Sequence, residues 1–177
     1  MTSRIRAGDD DLRVIGVRDI GAVLSPPDAL EIGRGLNAED ARGQMVAAGD
    51  IILSSRGAVR SAVVEEGHKG AVAGVNTVVV RPWSKSAAPV LTAYLRHPRT
   101  VAALLAGFSG STVPGFSLDT LRALPLDLPD DETVAGMSRM IAAAYRYHDA
   151  MLEAAQARLT LALDLVVQNL TPLDDPA

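Results

Sequence analysis

The run Gly49-Asp50-Ile51-Ile52-Leu53-Ser54-Ser55-Arg56-Gly57 passes from an acidic turn through an apolar strand to a small polar loop that ends in a guanidinium. Hydroxyls at such a tip donate to phosphate oxygens or base edges, and an arginine either bonds a guanine edge bidentately or pairs with a phosphate. Arg60, just past Gly57, offers the same chemistry. So do Lys69 and His68 on a Gly-bounded turn, although Glu65 and Glu66 beside them offset the charge. Ser111 and Thr112, in a Gly/Ser/Thr/Pro loop at 107–115, supply further hydroxyls. The candidate donor set for a phosphate or base edge is therefore Ser54, Ser55, Arg56, Arg60, Lys69, Ser111 and Thr112. Solvated hairpin arginines and loop hydroxyls bonded to their own backbone give the same pattern. Asn76 lies in a β-branched run, where its amide is expected to satisfy a neighbouring loop.

Other chemistries lack their parts. Gly107-Phe108-Ser109-Gly110-Ser111 has the outline of a hydrolase nucleophile elbow, but its final glycine is a serine and Pro114-Gly115 stand where the helix would begin. His68, His97 and His148 are widely separated and belong to no HExxH or His/Asp cluster. Gly67, Gly70 and Gly74 match neither the phosphate-loop nor the dinucleotide spacing. The expectation is a non-catalytic protein with no metal and no cofactor of its own.

With 177 residues the chain has room for one well-buried domain and an appendage. It has 0 cysteines, so disulfide staples and thiolate metal sites are excluded and a reducing, cytoplasmic setting is expected. The first residues lack an apolar signal core, and no apolar run reaches the ~18 residues of a membrane span. The formal charge is -4, but residues 1–129 carry 14 Lys+Arg against 13 Asp+Glu, whereas 130–177 carry 3 against 8. The acidity thus belongs to the C-terminal segment, and no bulk positive field draws nucleic acid in. Aromatics at 3% make extended single-strand stacking platforms hard to build, so duplex is the better nucleic-acid ligand.

The elements that must position these loops are short. Residues 12–20 read as a strand and its exit, and 23–48 as mostly irregular with short strands. Val/Ile-rich strands are expected at 51–54, 58–64 and 71–80, split by Gly57 and by residues 65–70. Such short connections favour a curved antiparallel or mixed sheet. Residues 87–106 carry apolar positions at helical spacing, and Pro98 divides them into two covering helices. Ser117 suits an N-cap for a short helix through 123, and residues 125–129 form a proline-bounded extended piece.

From Asp130 onward the chain reads as one helix to residue 170, acidic at its start and free of Gly and Pro beyond Gly136. Met137, Ile141, Leu152, Leu159, Leu163 and Val166 follow 3/4 spacing with an offset near residues 148–152. At 1.5 Å per residue its length is roughly 57 Å, more than a domain of this size covers. Self-association through this helix is the expectation. The layout is thus a mixed α/β domain at 1–129, a long coiled-coil helix at 130–170 and a disordered tail at 171–177.

Five motifs in order resemble the target-recognition domain of type I restriction-modification specificity subunits. They are Val17-Arg18-Asp19-Ile20; residues 49–57, similar to a GD-apolar-apolar-S-x-x-G hairpin; residues 74–82, a strand carrying Asn76 and ending in Arg81-Pro82; Gly110-Ser111-Thr112 followed by residues 116–121; and Leu124-Pro125-Leu126 with Leu128-Pro129. The resemblance runs from about residue 13 to 170. It departs at the N-terminus, where the family's opening strand is missing or replaced by residues 1–11. It implies a non-catalytic subunit that places loops in a DNA major groove and uses the helix as a ruler, with a DNA methyltransferase subunit as partner. Family members carry two domain-plus-helix units and this chain carries one, so a homodimer on a palindromic, bipartite duplex site is implied. The alternative is an assembly module that dimerises through its helix and binds a methyltransferase or defence partner without reading DNA.

Overall fold

The structure is a computed structural model and describes residues 7–108 and 112–170. Its strands are β1 (Ala7–Ile15), β2 (Glu31–Leu36), β3 (Ile51–Ser54), β4 (Ser61–Val63), β5 (Val72–Ala73) and β6 (Thr77–Val80). Its α-helices are α1 (Ala38–Ala41), α2 (Ala88–Arg96), α3 (Pro98–Leu105), α4 (Leu118–Arg122) and α5 (Asp131–Leu170). The strands form two three-stranded sheets ordered β2-β1-β5 and β4-β3-β6. β1 is antiparallel to β2 and parallel to β5, and β3 is antiparallel to both its neighbours. This is the mixed α/β class expected from the sequence.

One core joins the sheets. Ile15 at the end of β1, Ile52 on β3, Ala62 on β4 and Ala71 and Ala73 around β5 cluster with Ile20, Leu24, Leu30 and Val46 from the irregular stretch. Each fully buried Ile or Leu contributes about 1.5–3 kcal/mol through the apolar area it removes from water. β3 is buried on both sides, with Ile51, Ile52 and Leu53 all 0% exposed, so it reads as a continuous apolar run instead of an alternating one. α2 packs on β4 and buries Ala88, Leu91 and Leu95. It ends where His97 turns extended ahead of Pro98, and the His97 ring then accepts the Arg99 N–H to cap α3.

Two parts of the sequence reading are corrected. Residues 12–20 read as a strand and its exit; the strand starts earlier, at Ala7, and stops at Ile15, and the exit holds Val17–Asp19 as a 3-10 turn with the Asp19 carboxylate accepting the Gly16 N–H at 2.8 Å. A strand from Ala7 therefore precedes the Val17–Ile20 motif, where the resemblance has the opening strand missing or replaced by residues 1–11. The second correction divides the expected strand 71–80 between the two sheets. β5 pairs with β1 and β6 with β3, and the chain turns at Gly74-Val75-Asn76. Gly74 donates to the Ile15 carbonyl at 2.9 Å, and a Cβ there would sit 2.9 Å from that same oxygen, so this close approach to β1 requires glycine. The Thr77 hydroxyl closes the turn on the Gly74 carbonyl at 2.8 Å.

Two arginines tie the elements together. Register sets Ile51 opposite Val80, so Asp50 and Arg81 meet just beyond that pair. Arg81 Nη2 and Nε bond the two Asp50 oxygens at 2.7 and 2.8 Å, and the Ala47 N–H adds a third bond at 2.8 Å. Arg96 at the end of α2 donates to the carbonyls of Ser61, Gly21 and Ala22, fastening the helix to β4 and to the loop after Ile20.

By compactness the chain divides into two units between Ser138 and Arg139. Within the first, α5 is capped by Asp130, whose carboxylate accepts the Thr133 N–H at 2.9 Å and the Thr133 hydroxyl at 3.0 Å. The backbone bond from Thr133, joined by its hydroxyl, holds the Asp130 carboxyl below the ordinary carboxylate range. Val134 is buried and the Ser138 hydroxyl donates to the Ser86 carbonyl. In the second unit the helix continues to Leu170, and Leu152, Leu159, Leu163 and Val166 stand 53–57% exposed. No described helix is long and apolar enough to cross a membrane. The tail at 171–177 lies outside the described residues.

Candidate functional site

The β3–β4 connection is closed from inside by Ser54. Its hydroxyl donates to the Ala58 carbonyl at 2.6 Å and accepts the Arg60 N–H at 2.8 Å, while its own N–H donates to the Arg60 carbonyl. Ser54 is 0% exposed. It is therefore a loop-closing residue and not a surface donor, which corrects its place in the candidate set. The same closure turns the next residues outward. Arg56 and Arg60 are exposed, and neither makes an ion pair among the described residues. Gly57, at φ +78°, takes a left-handed turn that a side chain would strain.

A second loop is bound along this tip. The Gly57 N–H donates to the Pro114 carbonyl at 2.8 Å and the Phe116 N–H to the Ser55 carbonyl at 3.2 Å, so Arg56 and Gly115 form an isolated antiparallel bridge. A Cβ on Gly115 would lie 2.8 Å from the Ser55 carbonyl and 3.2 Å from Arg56 Cγ, so the approach requires glycine. From the third side the Asn76 carbonyl accepts the Ser55 N–H at 2.8 Å. Asn76 sits at φ +61°, exposed, with no side-chain hydrogen bond among the described residues. Its β-branched neighbours in sequence predict a strand position, with the amide satisfying a neighbouring loop. It occupies a turn instead, because asparagine tolerates the left-handed conformation better than most residues.

Ser55, Arg56 and the exposed Thr112 loop thus come together on one surface. Ser111 falls outside the described residues, as does Ser109 of the elbow-like run. Lys69 does not join them. It follows the Val63 end of the hairpin, opposite the Ser54–Arg60 end, and is paired with Glu66 at 3.4 Å. His68 is buried at 3% exposure, with Nε2 donating to the Ser25 carbonyl at 2.8 Å, so it supports the fold and does not contact a phosphate.

Between the three loops lies a cavity of about 400 Å³. Its walls include Ser55, Arg56, Asn76, Phe108 and Phe116. The aromatic pair was missed in the sequence. A larger cavity of about 720 Å³ separates β6 from α2, with Val79, Leu91, Tyr94 and Leu121 among its walls. It is mainly apolar, and its two arginines are already engaged, Arg81 with Asp50 and Arg122 with Asp119. The smaller cavity is the one that adjoins uncommitted charge. Among the described residues no group of three His, Asp or Glu is placed to hold a metal ion.

No protein-family model and no curated protein matches the chain. Among solved structures, an HsdS subunit from Thermoanaerobacter tengcongensis superposes with a TM-score of 0.65 over 94% of this chain, at 14% identity. The chain spans 44% of that protein's length. The mixed α/β domain with its long C-terminal helix therefore has the fold of part of an HsdS subunit.

Proposed function

We propose that this chain is the sequence-reading element of a restriction-modification complex of the type I kind, binding duplex DNA and leaving catalysis to a partner methyltransferase. Residues 1–129 supply the recognition domain and 130–170 the pairing and spacing helix. The observation that carries the reading is the surface where the β3–β4 tip and the 112–117 loop are locked together. It presents Ser55, Arg56 and Thr112, with Arg60 on the same hairpin, on a fold shared with an HsdS subunit. Base-edge contacts from such a surface choose the sequence, and phosphate contacts supplied by a basic partner add affinity. Near neutrality of the domain is compatible with that division of labour.

The helix supplies the second half of the proposal. Leu152, Leu159, Leu163, Val166 and Leu170 fall on one stripe at 100° per residue and are all exposed. A second copy of the chain covers that stripe, with Met137 and Ile141 continuing it toward the N-terminus. Two copies related by a two-fold axis present two recognition domains, hence an inverted, split target. Leu161 and Leu165, exposed on the opposite side, are left for the methyltransferase partner. The setting is cytoplasmic, where DNA and that partner are found.

Arg56→Ala combined with Arg60→Ala tests the reading side chains. A bidentate arginine contributes about 1–3 kcal/mol of discrimination, so losing two lowers selective duplex binding at least about thirtyfold, and the oligomeric state is unchanged. Fluorescence anisotropy with target and scrambled duplexes measures the first, and light scattering the second. Unchanged selectivity favours the assembly-module reading, in which the acidic helix segment binds a protein partner and the domain reads nothing.

A further inference from the structure

We propose that the 400 Å³ cavity between the hairpin tip, the Asn76 turn and the loop ending at Ser117 receives a single nucleobase turned out of the bound duplex. The inference rests on the DNA-recognition reading and adds to it a binding site with a defined ligand. Small-molecule sites run from about 300 to 1,000 Å³, and this one is near the lower end, sized for a ligand of one or two rings.

Its lining matches a base on both counts by which bases are recognised. The chain has 2 phenylalanines, and both, Phe108 and Phe116, face this cavity while remaining half-buried. In a protein so poor in aromatics, the meeting of its two phenyl rings at one small cavity provides the apolar π surface on which any base stacks. The polar edge comes from Asn76, Ser55 and Arg56, whose side chains make no hydrogen bond among the described residues. An amide both donates and accepts, as adenine's edge requires, and a guanidinium and a hydroxyl complete the complement for other bases. Leu104, 1% exposed on α3, adds an apolar wall.

The cavity is formed before any ligand arrives. The Ser55 N–H holds the Asn76 carbonyl, the Ser55 carbonyl holds the Phe116 N–H, and Gly115 leaves no space between the loops. Extruding a base costs its pairing and stacking, and that cost is smallest where the base is already mispaired. A pocket that takes up the extruded base therefore favours a duplex with a mispair at that one position.

The test uses the full chain, with its methyltransferase partner if binding requires it, and the duplex enriched from a random pool. A single mispair is moved through each half-site and affinity is read by anisotropy. The expected result is one position per half-site at which the mispair tightens binding about tenfold or more, with no gain elsewhere. Asn76→Gly keeps the positive φ and removes the amide; Phe108→Ala removes one stacking face, worth about ten- to a hundredfold per stacked base. Each abolishes the positional gain. Should the paired duplex bind while no position gains, or should the gain persist in both variants, the base pocket is overturned and DNA recognition stands. Should no duplex bind at all, both fail together.

Discussion

If the chain pairs and reads DNA as proposed, Leu159→Asp with Leu163→Asp is expected to give a monomer at concentrations where the parent chain dimerises, and to lower affinity for the split duplex site by about 10²- to 10⁴-fold. The two leucines are 53% and 57% exposed, one helical turn apart on the stripe that also carries Leu152, Val166 and Leu170. On a helix of 40 residues, about 60 Å long, such an exposed apolar stripe offers a face for a partner to cover. The spacing supports pairing with another helix, since Leu159, Leu163, Val166 and Leu170 alternate by four and three residues as knobs-into-holes packing requires. Gln156 occupies the preceding position of that repeat, and a polar residue in the seam fixes register. Carboxylates placed in the seam have no cationic partner there and would have to be desolvated, which the dimer cannot sustain. The DNA effect follows from valency, because each half-site is then bound without the effective concentration provided by the other. Gln168→Asp, on the opposite side of the helix, is the control and leaves the dimer intact. Sedimentation equilibrium reads the first effect and anisotropy on the bipartite duplex the second.

Arg81→Ala destabilises the recognition domain by about 2–3 kcal/mol at neutral pH. Removing one partner of a buried pair costs about 3–5 kcal/mol, and the lower figure applies because the Arg81 side chain is 64% exposed and screened by solvent, while that of Asp50 is 4% exposed. Burial alone would raise the Asp50 carboxyl. The Arg81 hydrogen bonds, the Ala47 N–H and the Arg81 charge together outweigh it and hold the group below the ordinary range. A depressed folded-state pKa contributes stability that is present above the unfolded value of about 3.9 and is lost as pH falls through the folded value. The parent's advantage over Arg81→Ala is therefore largest near neutral pH and shrinks as acid protonates Asp50, first in the variant, which lacks the arginine, and last in the parent, where the arginine holds the carboxyl low. In the variant, burial remains with only the Ala47 bond to offset it. Denaturant melts of the two chains at several pH values measure the gap, and a gap that widens in acid would contradict the assignment.

The sequence revealed what is local. Pro98 placed the break between α2 and α3, Ser117 capped α4 by accepting the Thr120 N–H at 3.1 Å, and the Gly/Pro-free stretch after Gly136 gave α5. Long-range pairing was hidden. Residues 71–80 are rich in valine on both sides of Gly74-Val75-Asn76, and β propensity alone does not show that Gly74 is held on β1 while Thr77 passes to β3. Asp50 and Arg81 were both noticed as motif residues, but only the β3–β6 register makes them partners. Arg96, bonded to three carbonyls, looks in sequence like any helix-terminal cation. Within the site, Ser54 and Ser55 are adjacent and chemically identical, and strand alternation plus loop closure sends one inward and leaves the other at the cavity. Phe108 and Phe116 were unremarkable until the 112–117 loop was seen to fold back on the hairpin.

The most direct test is selection from a randomised duplex pool at low salt by the purified chain, alone and with the proposed methyltransferase partner, followed by sequencing of the bound fraction. Enrichment of an inverted repeat split by a fixed gap is the expected result. Absence of enrichment even with the partner present would contradict DNA reading and leave a helix-paired assembly module in its place.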